Sequence, residues 1–342
     1  MVQTNAFVPV VSDFLSEVSL GDPRIHGSLA VFPLLSKRDP VRDYLVLEEA
    51  IAQKLVTVTE RKGSATVPEL ELENRSDQDV LLLDGEMLVG GRQDRILAIS
   101  LLAGAKSTLT VPVACCEAGR WRTMRRGDLF ESADWHGHSR MRAEMSKQVS
   151  LHLACSGRAA TDQSALWVEQ ARSQQAHDVD SPTAGMRDVY DSLKESLEKQ
   201  LDTFKPEANQ VGALVMSAGK VVGLDAFDQA ATYGKLHARL ARGYGLDALE
   251  LEGRKPVEPK REAAEEFLRL VAGARDQVFP TVGLGEQHRV ENGGVTGSAL
   301  AVESKVIHLS AFASDEVDPR ARDEEPESHP IIRQRSRRPR AF

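Results

Sequence analysis

The chain has 342 residues, 43 Lys and Arg against 51 Asp and Glu, a formal charge of −8, 41% apolar residues and 5% aromatic ones. That length buries a core without disulfide or metal staples, and the composition excludes collagen-like, disulfide-rich and wholly disordered classes. The acidic balance speaks against generic nucleic-acid binding wherever basic residues do not cluster.

No stretch approaches the roughly 20 consecutive apolar residues that span a bilayer. The first apolar run has no basic region before it and is followed by Asp13 and Glu17, unlike a secretory signal. Three cysteines, Cys115 and Cys116 adjacent, make no disulfide framework. The expectation is a cytoplasmic protein with reduced thiols and no membrane association.

In chain order, residues 20–125 read as strand-rich. Short β-branched or alternating runs fall at 29–34, 55–59, 69–73, 80–83, 95–99 and 108–113, separated by Gly, Asn and Asp turn signals, with one helix at 47–55. An antiparallel assembly, sandwich-like in arrangement, is expected. Residues 139–204 turn helical, with Met141, Met145 and Val149 on one stripe and Leu193, Leu197, Leu201 and Phe204 on another. Asp180-Ser181-Pro182 breaks the chain before that last helix. Residues 205–313 are mixed: a hairpin at 211–216 and 220–224, helices at 228–243 and 260–274, then strands at 289–291, 298–303 and 306–310. Strands, then helices, then mixed elements predict an α+β class, one composite body over residues 1–313. Residues 314–342 read as a disordered charged tail, because seven acidic residues at 315–327 and five arginines in the last ten leave too little apolar surface to offset ordering. That arginine cluster is the place where nucleic acid or a protein partner remains plausible.

The densest chemistry lies in DGEMLVGGRQDR, residues 84–95, and VPVACCEAGRW, residues 111–121. Each segment joins a carboxylate, Glu86 or Glu117, to a glycine-opened turn and arginines. Guanidinium groups of Arg95 and Arg120 suit phosphate or carboxylate in a bidentate fork. Gln93 and Asp94 offer partners for hydroxyls or a base edge, and Trp121 offers a stacking face. If the two segments lie side by side, Glu86 and Glu117 converge as acid and base, as a ribose clamp, or as ligands of a divalent cation. The bland alternative is that both glutamates pair with neighbouring arginines in a structural network.

These two motifs, with GSLAVFPLL, DYLVLEEAI and the closing VIHLSAF, resemble one family over roughly residues 20–313: the ARG (ADP-ribosylglycohydrolase) and rhodanese-phosphatase-superfamily-associated protein family. Glu86, Gln93, Arg95, Cys115, Glu117, Gly119, Arg120 and Trp121 stand at its motif positions, whereas Cys116 replaces an expected aliphatic residue and Asp94 an expected Asn. The association in the family name implies work on ADP-ribose or NAD derivatives. The resulting expectation is an anionic small-molecule ligand, ADP-ribose-like, that is bound and then hydrolysed or transferred. Arg95 and Arg120 would hold phosphate, Gln93 and Asp94 the remaining polar groups, Trp121 the base, and Glu86 with Glu117 would be catalytic. The alternative is a non-catalytic nucleotide sensor or protein-interaction module.

Secondary candidates are Cys115 as a thiol beside arginines, Asp225 just after a strand, and His308 in the last strand. Asp134, His136 and His138 have ligand chemistry but no helical HExxH or CxxC spacing, so no metal site is assigned, and no cofactor is specified. GxGxxG, GxxxxGK[ST] and GxSxG elements are missing, which leaves Rossmann, P-loop and α/β-hydrolase readings without support.

Overall fold

A computed structural model describes residues 10–61, 68–120, 129–251 and 257–314. The expected tail and Trp121 lie outside the described residues. Local pattern becomes local structure most plainly at Glu69–Asn74, where Leu70 and Leu72 are fully buried and the intervening glutamates reach outward. This strand belongs to a six-stranded sheet in the order Phe130–His136, Glu86–Gly90, Arg95–Leu97, Thr108–Cys115, Glu69–Asn74, Val56–Glu60. Its two outer strands meet in an antiparallel bridge between Thr59 and Leu129, so the sheet curls back on itself rather than facing a second layer as a sandwich would. Gly90 and Gly91 make the corner possible. Both have positive φ, and a Cβ on Gly90 would sit 2.2 Å from the Leu129 carbonyl oxygen.

The strand Leu29–Leu35 departs from that group. Its partner is Gln210–Ser217, with Phe32 opposite Leu214, and the two form part of a nine-stranded antiparallel sheet. That sheet runs Ser19–Leu20, Leu29–Leu35, Gln210–Ser217, Lys220–Phe227, Lys305–Ala313, Val295–Val302, Glu286–Asn292, Arg275–Pro280, with Arg24–His26 also on Leu29–Leu35. The reason is burial: LAVFPLL and QVGALVMS are covered on both faces and need a central position. A third, three-stranded sheet joins Leu101–Ala103, Asp79–Leu82 and Tyr44–Val46, the last pair parallel. Sheets and helices together confirm the α+β class.

The helical stretch divides into Ser139–Ser156, Gln163–Ala176, Met186–Ser192 and Lys194–Thr203. The last two interrupt what the leucine stripe predicts as one helix. Ser192 Oγ donates to the Val189 carbonyl at 2.8 Å, and Leu193 serves as the end of one helix and the start of the next. The helix Ala230–Leu249 runs past its predicted end at Gly243, because that glycine answers packing rather than capping. A Cβ there would lie 2.9 Å from the Gly137 carbonyl oxygen. Among the described residues no helix is long and apolar enough to cross a membrane.

The Gly90 corner carries a prediction. Gly90→Ala should lower unfolding free energy by about 2–4 kcal/mol, through a non-glycine residue at positive φ and a clash with backbone. Urea denaturation checks it, and a loss below about 0.5 kcal/mol would contradict the corner's role.

Candidate functional site

The turn between Glu86–Gly90 and Arg95–Leu97 brings the two motifs together, because Cys115 pairs with Arg95 across the sheet. Glu117 then reaches back to the turn. Its Oε2 accepts from Arg120 Nε at 2.7 Å and from the Asp94 backbone N–H at 3.1 Å, while its carbonyl accepts from Gln93 Nε2 at 2.7 Å. Arg120 spends its other nitrogens on Asp94 Oδ1 at 3.0 Å and on the Gly91 and Gly90 carbonyls at 2.9 and 3.2 Å. Arg187 completes the group from the helix Met186–Ser192, donating to Asp94 Oδ2 at 2.9 Å. Arg95 donates to Gln93 Oε1 at 3.2 Å and contacts Cys115 Sγ at 3.1 Å, with Glu60 3.6 Å away.

Apart from Arg187, whose side chain is 28% exposed, these side chains are buried, and burial sets their chemistry. For Glu117 desolvation works upward, but hydrogen bonds from Arg120 and the Asp94 N–H outweigh it and hold the carboxyl below its usual range. For Asp94 burial wins, and its carboxyl titrates higher than usual despite Arg187 and Arg120. Burial also pushes the Cys115 thiol up, against the opposing pull of Arg95. Cys115 is therefore a protonated thiol near neutral pH and a poor nucleophile.

Glu86 does not join this group. It opens the strand that Gly90 closes, and four steps of about 3.3 Å set the two ends roughly 13 Å apart. There Glu86 Oε1 accepts from Ser132 Oγ at 2.6 Å and Arg239 Nη1 at 2.8 Å, and Arg239 also pairs with Glu48. Glu86 and Glu117 do not converge for this reason: Glu86 opens that strand, whereas Glu117, just past the strand Thr108–Cys115, reaches the turn beyond its other end, and the two have no shared partner.

Asp225 and His308 form a third network with residues that sequence reasoning passed over. Arg142, on the helix Ser139–Ser156, donates to both oxygens of Asp225 at 2.8 and 2.6 Å and reaches Asp84 at 3.4 Å. His308 lies 2.8 Å from Ser100 Oγ through Nδ1 and 3.2 Å from Asp225 Oδ1 through Nε2. Ser100 Oγ donates to Asp84 Oδ1 at 2.8 Å, and Tyr244 donates to Asp225 at 2.8 Å. Burial raises the cost of charge on both aspartates, yet Arg142 outweighs it and holds both carboxyls below the usual range. The connectivity Ser100–His308–Asp225 is that of a nucleophilic triad. However, Ser100 is 1% exposed, His308 is fully buried, and Ser100 Oγ gives its proton to Asp84 rather than to His308, so the group reads as a buried support. Arg142 left no signal in the sequence that separates it from Arg140, which also flanks Met141 and is exposed.

Among the described residues no group of three or more His, Cys, Asp or Glu could hold a metal ion. His136 instead lies 2.7 Å from the Asp84 carbonyl through Nε2, and His138 lies 3.0 Å from Asp247. The three cysteines are free.

Fold and site define an α+β protein whose glycine-turn motifs build a buried arginine–carboxylate frame. The profile of the ARG and Rhodanese-Phosphatase-superfamily-associated Protein (ARPP-1) domain matches residues 17–312, and the chain belongs to that family. No curated protein and no solved structure matches the chain.

Two predictions follow from the third network. Arg142→Met leaves two buried carboxylates without their cation and should cost about 3–5 kcal/mol, read by urea denaturation. His136 supplies the second. Burial, reinforced by Arg142, lowers its folded-state pKa from 6.5 to about 3. A depressed histidine leaves stability intact above the unfolded value and removes it as pH falls below about 6.5, by about 1.4 kcal/mol per unit until the folded value is reached. Against a His136→Gln variant, the wild-type chain should thus lose about 1 kcal/mol more between pH 6.5 and 5.5, where the slope is still building. Parallel stability profiles of the two would contradict it.

Proposed function

We propose that this chain binds an ADP-ribose-like anionic ligand at the rim of the motif cluster, where Arg187 meets Asp94, and that it does so in a reducing, cytoplasmic setting. One observation carries the reading. Arg187 is a guanidinium of the cluster that reaches solvent, with a side chain 28% exposed, and its partner Asp94 has a carboxyl whose pKa burial raises. A diphosphate that takes Arg187 from Asp94 therefore meets a carboxyl whose charge is already costly to keep, and a bidentate arginine–phosphate pair replaces the ion pair. The arginines behind it act as frame: every nitrogen of Arg120 is engaged within the cluster, and Arg95 is 1% exposed.

Of the two forms this function can take, sensing without turnover has the better support. Glycoside cleavage needs an acid with a raised pKa and a second carboxylate a short distance away. Glu117 is held below its usual range by Arg120, and Glu86 is locked by Arg239 and Ser132 at the far end of the strand.

Calorimetric titration of the full chain with ADP-ribose and with NAD tests the assignment. Saturable binding of ADP-ribose is expected, with Arg187→Ala weakening it about tenfold, the scale of one lost charge-assisted pair. Absence of heat at about 10 mM ligand with folded protein would remove the ligand class. Release of product from an ADP-ribose conjugate, abolished by Glu86→Gln and Glu117→Gln, would replace sensing by hydrolysis.

A further inference from the structure

Between the helices Gln163–Ala176 and Met186–Ser192 the chain crosses the second motif as a strap, residues 177–185. Core packing does little to anchor it. Val179 alone touches the apolar core, and from 174 to 184 no residue is buried. The ties are polar instead. The Gly119 N–H donates to the Thr183 carbonyl at 2.7 Å, and the Met186 N–H donates to the Cys116 carbonyl at 3.1 Å. Glu117 and Gly185 form an antiparallel bridge, Gln170 donates to the Ala184 carbonyl, and the Thr183 hydroxyl helps to hold the Glu117 carboxyl charged. Segments with so few buried apolar contacts open at the low end of a protein's range of local stabilities.

Two features set this strap apart from an ordinary loop. The first is Gly119, whose backbone is not left-handed. What requires glycine there is the strap itself, because a Cβ would lie 2.9 Å from Thr183 Cα. The second is Ala184, at a φ of 49°, while Gly185 beside it takes an ordinary −93°. Left-handed backbone is nearly free for glycine and strained for alanine. The lowered strap therefore holds strain that moving the glycine by one residue would remove. Such strain persists only where the surroundings over-determine it, and beside a ligand site it favours a second arrangement.

We propose that the strap is the moving part of the Arg187 site: lowered, its Thr183 occupies the Gly119 N–H and faces Glu117, and raised, it gives both groups to the ligand. The proposal rests on the ligand reading above and supplies its regulation. Arg187 follows closely on Gly185, so its ion pair with Asp94 is one more tie on the strap. A diphosphate that takes Arg187 removes this tie, and the freed Gly119 N–H meets the second phosphate. A ligand shifts such an equilibrium only through a contact that one state offers and the other withholds. The Gly119 N–H is that contact, and the strain at Ala184 is released in the same step. Sensing without turnover then has an output, an exposed segment with two positions.

The test follows the strap in the full chain. Cys155 is exposed while Cys115 and Cys116 are buried, so Pro182→Cys adds a second thiol open to spin labelling. One label then rides on the strap and the other on the helix Ser139–Ser156. ADP-ribose should move the distance between them to a second population, saturably, and adenosine, which has no phosphate, should not. Ala184→Gly relieves the strain of the lowered strap. It should slow hydrogen exchange of the Gly119 amide in the free chain and weaken ADP-ribose in calorimetry, each about three- to fivefold. Thr183→Val keeps the carbonyl, loses the hydroxyl, and should shift both in the opposite direction. If Pro182→Cys does not fold, these two unlabelled variants carry the test. The proposal is overturned if ADP-ribose saturates while the distance keeps one population. It is equally overturned if Ala184→Gly leaves Gly119 exchange and ADP-ribose affinity unchanged, or if the two variants shift them in the same direction. Each of these results leaves the Arg187 site standing. Absence of ADP-ribose binding at about 10 mM, with Gly119 exchange still slowed by Ala184→Gly, would do the reverse, removing the ligand class and keeping the strap.

Discussion

The ion pairs of Arg142 hold the described structure at its centre. Asp84 follows the strand Asp79–Leu82 of the small sheet and Asp225 sits in the nine-stranded one, while Arg142 projects from the helix Ser139–Ser156 between them. Two carboxylates and a guanidinium removed from water are costly, and their mutual attraction offsets that cost only with near-ideal geometry and every spare lone pair occupied. Ser100, Ser310, His308 and Tyr244 occupy them: Ser310 donates to Asp84 at 3.2 Å and Tyr244 to Asp225 at 2.8 Å. The arrangement fixes the mutual placement of a helix and two sheets more sharply than apolar contact, which tolerates sliding, would do.

A second buried cation stands near this centre. Arg289 is 1% exposed and has no ion pair among the described residues. Its donors go instead to Ser150 Oγ at 2.9 Å and to the Ser146 carbonyl and hydroxyl, each at 2.7 Å. Burial lowers its pKa to about 10, with Asp84 opposing the shift, and it stays charged near neutrality. Two aspartates are thus matched by two arginines, one in contact and one through space.

The legible and the illegible parts of this chain separate along a physical line. Period-two alternation at 69–73 and unbroken apolar runs at 29–34 and 211–216 report burial locally, and those strands form where the pattern puts them. What such patterns omit is the partner. Nothing near Leu29–Leu35 announces that it pairs with a strand 180 or so residues later; only the shared need of two fully apolar strands for a central position explains it. The strand Glu86–Gly90 was obscured because Glu86 occupies a buried position, which reads as exposed until Arg239 is known to reach it. The motif residues fared better as a group: Gln93, Asp94, Arg95, Cys115, Glu117 and Arg120 do assemble, because two antiparallel strands and a short turn bring them together within local reach. Glu86, in the same motif, does not. A strand is rigid along its length, so closeness in sequence sets its two ends apart as firmly as the turn draws Asp94 and Glu117 together.

That rigidity also separates framework from function. An arginine whose nitrogens all meet internal acceptors cannot take a phosphate without unmaking what it holds, and Arg120 gathers Gly90, Gly91, Asp94 and Glu117 in this way. Losing it would open the corner on which the curled sheet depends. A ligand group would therefore have to find a donor whose release costs little, such as a partly exposed guanidinium facing a carboxyl that resists its charge. Arg187 meets that condition against Asp94. It stands on the helix Met186–Ser192, outside the corner that Arg120 holds closed.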